Sequence, residues 1–235
     1  MRADRRVVLT RTPEDNAALR QALGEVPALV VDYPCIAIEP LPLPADVRAR
    51  LAAGEYDAVI FVSRHAAEAV AAPNVPAPRH VVAIGASTER VIRDRGWKVT
   101  ARPSQPRSEA AARELDALIP GVSRVLYAKG DLGDDVIPTA ARERGLQLDE
   151  VTVYRTVSAL REPLPPFDGR TLVLFASPSA AQMFQAKNSR SAALEGLAIG
   201  LTTQRACLAA GLPTHLAPES TTAGLARCTI AWLAR

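Results

Sequence analysis

The chain has 235 residues, 28 Lys and Arg against 25 Asp and Glu, and only 4% aromatics. That length suits one large domain or two small ones, with a core of Val, Leu, Ile and Ala. No apolar stretch approaches the ~18–20 residues of a membrane span, and the three apolar residues after Arg6 make no secretory leader. A net charge of +3 without a basic block argues against a nucleic-acid binder. Of the 28 cations 25 are Arg, beside 43 Ala, a skew of base composition rather than a phosphate-binding adaptation. Cys35, Cys207 and Cys228 are distant and odd in number. They form neither a disulfide framework nor a metal clip, and a reduced cytoplasm is expected.

In chain order, Arg6-Val7-Val8-Leu9-Thr10-Arg11 reads as a strand, followed by a helical stretch to Gly24 and a second strand over Ala28–Tyr33. Pro34, Pro40, Pro42 and Pro44 mark a break. Val59–Val62 then leads into Ser63-Arg64-His65, and Ala83-Ile84 into Gly85-x-x-Thr88. A strand at Arg124–Lys129 lies between helical patterns at Arg107–Leu118 and Asp134–Arg144, and Val151–Tyr154 reads as the next strand. Pro163, Pro165 and Pro166 mark a second break. Val173–Phe175 precedes Ser177-Pro178-Ser179, and Ala198-Ile199 precedes Gly200-x-Thr202-Thr203. The apolar runs are continuous rather than alternating, as parallel strands buried on both faces require. Glycines after basic residues, Gly96 and Gly145, stop helices. Alternating strands and helices predict doubly wound parallel sheets.

The chain also repeats itself. Phe-x-Ser-x-x-Ala-Ala occurs at Phe61 and at Phe175, and Ala-Ile-Gly-x-x-Thr-x-Arg at Ala83 and at Ala198. Gly85 lies 22 residues after Ser63, and Gly200 lies 23 after Ser177. Glycines and prolines follow at matching offsets, Gly96 and Gly211, then Pro103 and Pro218. The strand–helix–strand piece at Arg6–Tyr33 is repeated more loosely at Arg124–Tyr154. Two pairings fit, each with five strands per domain. Two sequential domains would split near residue 120. Alternatively, 1–34 joins 158–235, with 38–155 inserted and 35–37 and 156–157 as linker. Prolines mark the first crossing of the inserted arrangement and nothing marks residue 120, which favours insertion and a short two-strand hinge.

Ligands bind outside the carboxyl ends of strands in open α/β sheets. Thr10, Arg11, Ser63, Gly85, Thr88, Lys129, Gly130, Ser177, Ser179, Gly200, Thr202 and Thr203 fall there. Each Ser or Thr is individually an ordinary helix cap. Together, on two facing domains, they suggest a cleft for several carboxylates or phosphates. No dinucleotide or P-loop glycine pattern occurs. His65, His80 and His215 lack metal or triad spacing, His80 and His215 read as surface loops, and Asp134-Asp135 reads as a helix start. Arg90 and Arg205 read as surface residues of helices. No metal is expected.

Val7–Arg11, Ile60–Ser63, Ala83–Thr88, Val125–Gly130, Val153-Tyr154-Arg155-Thr156, Phe175–Ala180 and Ile199–Thr203 make the chain resemble the uroporphyrinogen-III synthase family over nearly its whole length. The resemblance implies two flavodoxin-like domains joined by a two-stranded linker, the first discontinuous. It implies a cofactor-free cyclase acting on a linear tetrapyrrole, hydroxymethylbilane, by way of a spiro intermediate that inverts ring D. Tyr154 would assist hydroxyl departure, Thr202 and Thr203 would bind carboxylate or the ring-A side, and Ser63, Thr88, Lys129, Ser177 and Ser179 would hold others. Arg11 and Arg155 are charge-complementary candidates. The family commonly has Ser-x-Asn where this chain has Ser63-Arg64-His65. A monomer in the cytoplasm is expected, with no nucleic acid and no membrane. The rivals are a non-catalytic two-domain binder of a small anion and a flavodoxin-like electron carrier. Trp97 and Trp232 lie at no strand carboxyl end, which disfavours flavin. The inserted half carries 16 cations and 16 anions and the other half 12 and 9, so the +3 excess falls in the discontinuous half. Amides and hydroxyls, rather than a basic field, are left to hold the substrate.

Overall fold

The computed structural model describes residues 4–188 and 194–235. In chain order the elements are β1 (Arg5–Leu9), α1 (Pro13–Leu23), β2 (Leu29–Asp32), β3 (Ile36–Pro40), α2 (Ala45–Ala52), β4 (Ala58–Phe61), α3 (Arg64–Val70), β5 (His80–Ala83), α4 (Ala86–Asp94), α5 (Ser108–Arg113) and α6 (Leu115–Leu118). They continue as β6 (Arg124–Gly130), α7 (Val136–Glu143), β7 (Gln147–Ser158), β8 (Arg170–Phe175), α8 (Pro178–Lys187), β9 (Leu194–Ala198), α9 (Leu201–Ala209), β10 (Thr214–Leu216) and α10 (Thr222–Leu233). The chain divides into two units, 1–37 with 157–235, and 38–156. It passes out of the first unit within β3 and returns within β7.

The first unit is a sheet of order β10-β9-β8-β1-β2, and its strand pairs are parallel. Val7 sits opposite both Leu172 and Val30, so β1 lies inside the sheet. Both faces are covered. Val7, Leu9, Leu172 and Leu174 pack with Leu19, Leu225 and Trp232, whereas Val8, Val173 and Phe175 pack with Ala181, Phe184 and Cys207. That double cover is why the strands read as unbroken apolar runs.

The second unit has order β3-β7-β6-β4-β5, with parallel pairing from β7 to β5. Val59 and Phe61 face Trp97, Ala67 and Val70, while Ala58 and Ile60 face Ala111, Leu115, Tyr127 and Ile137. Removing either the Phe61 or the Phe175 ring costs about 3–5 kcal/mol, since both side chains are fully enclosed. Bonds from Leu41 N to Val153 O and from Ala159 N to Cys35 O flank β3 and run in opposite chain directions. β3 is thus the antiparallel edge of an otherwise parallel sheet.

Four details differ from the sequence reading. The helix expected over 107–118 is two pieces that part at Glu114, whose carboxylate accepts from the amide and hydroxyl of Ser104. The fifth strand of the second unit is β3, which lies in the stretch read as a proline-marked break. Ala101 makes only an isolated bridge to Val82, because the Thr100 hydroxyl takes the Val81 amide that a ladder would need. His80 opens β5 rather than a loop, and His215 lies in β10, 3.0 Å from Glu195. Arg90 and Arg205 are exposed on α4 and α9.

Candidate functional site

In the second unit Tyr154 lies within β7 opposite the end of β6, where the pairing slips between Lys129 and Gly130 so that Gly130 faces Tyr154. A side chain at Gly130 would overlap the Tyr154 ring, its Cβ standing 2.7 Å from the phenolic oxygen. Glycine here is a requirement of close approach, and it lets the tyrosine lie over the β6 end. The phenol hydrogen-bonds to Ser63, which follows β4, on the far side of β6. Burial raises the phenol's pKa; the Ser63 bond opposes this and the Asp131 charge adds to it, leaving the pKa above the ordinary 10.0. The group is therefore a proton donor at neutral pH.

Ser63 Oγ also accepts from Ala66 N at 3.1 Å and caps α3. A pocket of 230 Å³ opens here, lined by Ser63, Ser108, Tyr127, Gly130, Asp134 and Tyr154 among others. Tyr127 is wholly buried, and burial pushes its phenol up in pKa, with Asp134, Glu150 and Asp135 adding to the rise. Lys129 does not point its charge to a free acceptor. Its ammonium meets Glu150 at 2.6 Å, Asp135 at 3.1 Å and the Gly133 carbonyl at 3.4 Å. Those contacts use its three donors, so it neutralises its own carboxylates. Gly85 caps α4 at φ +94, and Thr88 lies buried in the first turn behind it.

The first unit repeats the serine arrangement without the tyrosine. Ser177 Oγ accepts from Ala180 N at 3.2 Å and contacts Ser179 Oγ at 3.1 Å. Gly200 precedes α9, and a Cβ there would come 3.2 Å from Ser220 Oγ. Thr202 is exposed on the first turn while Thr203 is buried. The Thr10 hydroxyl donates to the Leu174 carbonyl at 2.6 Å, so its proton joins β1 to β8 rather than facing a ligand. Arg11 meets Asp15 at 3.2 Å and Thr222 Oγ1 at 3.3 Å.

The structure thus brings Ser63, Gly130 and Tyr154 to one pocket, Ser177 with Ser179 to a second place, and Gly200 with Thr202 to a third. Ser108 and Ser220 are not marked by the sequence, and Asp134 reads there only as a helix start. The Ser220-Thr221-Thr222 run behind Pro218 was the available signal for Ser220. Among the described residues no group of three or more His, Cys, Asp or Glu could hold a metal ion, and no helix is long and apolar enough to cross a membrane.

A family model described as uroporphyrinogen-III synthase HemD matches residues 17–227. The chain belongs to the uroporphyrinogen-III synthase family. A uroporphyrinogen-III synthetase structure from Helicobacter pylori is 16% identical, with TM-score 0.70 over 97% of this chain and 99% of that one. A mutant uroporphyrinogen III synthase from Thermus thermophilus is 18% identical, with TM-score 0.60 over 97% and 98%. At these identities the structures speak for the two-domain α/β fold, and the family model carries the activity. The uroporphyrinogen-III synthase reaction is a cyclising loss of water from hydroxymethylbilane in tetrapyrrole biosynthesis, and the enzyme is a lyase. His65, two residues after Ser63, lies beside Tyr154.

Proposed function

We propose that this uroporphyrinogen-III synthase uses Tyr154 to release the substrate hydroxyl and strand-end hydroxyls and amides to hold the substrate carboxylates. The phenol gives its proton to the departing hydroxyl, the C–O bond breaks, and water leaves. The remaining azafulvene cation is attacked by the substituted carbon of ring D, giving a spiro intermediate. That intermediate fragments and recloses through the free α-carbon of ring D, whose proton is lost and balances the one spent. A positioned general acid contributes about 10²–10⁴-fold; holding one conformation of a reactive chain supplies selectivity for isomer III.

Ser177 suits a carboxylate although it caps a helix, whereas Ser63 serves the site through its bond to the Tyr154 phenol. Accepting an amide uses a lone pair and leaves the hydroxyl proton to donate. Ser179, Thr202 and the amides behind Gly85 and Gly200 extend the same role. Thr10, Thr88, Lys129 and Thr203 support these positions from within. The reading includes a monomer in a reducing cytoplasm. Its cysteines are free, and burial pushes the Cys35 and Cys207 thiols up to about 12 and 11, with the Cys207 rise offset in part by a bond to Thr214.

The observation that carries the reading is the Tyr154 phenol, lying over Gly130 beside Ser63 on an open pocket. Tyr154→Phe is expected to lower turnover of enzymatically generated hydroxymethylbilane tenfold or more, with circular dichroism unchanged. A near wild-type rate removes Tyr154 from the mechanism. Exclusive formation of isomer I by the wild type would favour the non-catalytic binder instead.

A further inference from the structure

Ser63-Arg64-His65 brings an imidazole to the Tyr154 ring. The two rings meet edge to face, with centroids 5.6 Å apart and planes at 65°. His65 is tied at both nitrogens. Its Nδ1 lies 3.0 Å from Glu68 Oε2, one turn further along α3. Its Nε2 lies 3.3 Å from Arg64 Nε. A guanidinium N–H only donates, so Nε2 accepts, and the neutral ring carries its hydrogen on Nδ1, donated to Glu68. The imidazole is therefore a fixed wall rather than a rotating side chain.

The Tyr154 ring packs against the core face that holds Val59 and Phe61 and lies over the bare backbone of Gly130, while Ser63 holds the hydroxyl. Among the described residues its aromatic contact is the edge of His65. We infer that His65 is a positioning residue for Tyr154, holding the phenol in the orientation from which it protonates the departing hydroxyl. The inference rests on the reading of Tyr154 as that proton donor. Its effect belongs to the chemical step, because the substrate carboxylates are assigned to other groups. A residue that acts only through Tyr154 changes kcat, leaves KM nearly alone, and has no effect once the phenol is gone.

The test is steady-state kinetics on the full chain with His65→Ala and His65→Phe, each in the wild-type and Tyr154→Phe backgrounds. His65→Ala is expected to lower kcat about tenfold with KM changed less than about twofold. His65→Phe, which keeps a ring edge against the phenol, is expected to recover to within about threefold of wild type and guards against a folding artefact. In the Tyr154→Phe background, His65→Ala is expected to cost less than about twofold more. A wild-type kcat for His65→Ala, an equal loss with His65→Phe, or an undiminished loss in the Tyr154→Phe background each overturns the assignment. Wild-type turnover by Tyr154→Phe alone would instead defeat the reading of Tyr154 beneath it.

Discussion

Tyr33 and Tyr154 close the two strand–helix–strand pieces of the sequence repeat, but Tyr33 follows β2 whereas Tyr154 lies within β7, at its last pairing with β6. Tyr33 is fully occupied. Its hydroxyl donates to the Glu162 carbonyl at 2.7 Å and accepts from Asn188 Nδ2 at 3.2 Å, and its ring stands edge-on to Phe184. Tyr154 has a serine for a partner and a pocket for a neighbour. The difference begins one strand away. Aligning Arg6 with Arg124 places Thr12 where the second half has Gly130. With a side chain there, the first half has no bare strand end for a ring to cross.

Gly130→Ala is the largest break of that contrast. The added methyl occupies the space of the Tyr154 ring, and turnover should fall at least as far as with Tyr154→Phe, about tenfold or more. Retained turnover would show that the ring's placement over β6 is not needed. Thr12→Gly in the other half should leave kcat unchanged. Next in size is Glu195, at the position matching His80. Burial alone would raise its pKa, but bonds from Arg170, His215 and Trp232 outweigh it and hold it down to about 2. A depressed carboxyl stabilises the fold above its unfolded value of 4.5, and the contribution is lost as pH falls through about 2. Glu195→Gln should cost about 2 kcal/mol in urea unfolding at neutral pH. The gap from wild type should close between pH 4.5 and 2; a gap constant with pH would mean that charge is not its source. Smallest is Tyr33→Phe, which should cost about 1 kcal/mol of stability and leave turnover intact. A kinetic defect there would erase the distinction between the two tyrosines.

Much of the fold was legible because it depends on patterns local in sequence. Val59–Phe61 and Val173–Phe175 advertise strands covered on both faces, and Ser63 and Ser177 advertise caps by residue type alone. What stayed hidden depends on who sits beside whom. The Gly130–Tyr154 crossing needs the order β7-β6-β4 and a slipped register. Nothing in Lys129-Gly130 states that the lysine spends its donors on Glu150 and Asp135. The weak bridge at Ala101 turns on a single competing hydroxyl, that of Thr100, which residue composition does not reveal.

The insertion also has a consequence for how the protein is made. β1 leaves the ribosome well before its neighbour β8, which begins at Arg170, after the whole of 38–156 has emerged. The inserted unit can bury both faces of its sheet while β1 and β2 still lack β8 to β10. Closing so long a loop is entropically cheaper when its interior is already compact and its two ends leave as adjacent strands. Maturation therefore starts in the inserted unit, and β1 finds its place only after a unit made later than itself has folded.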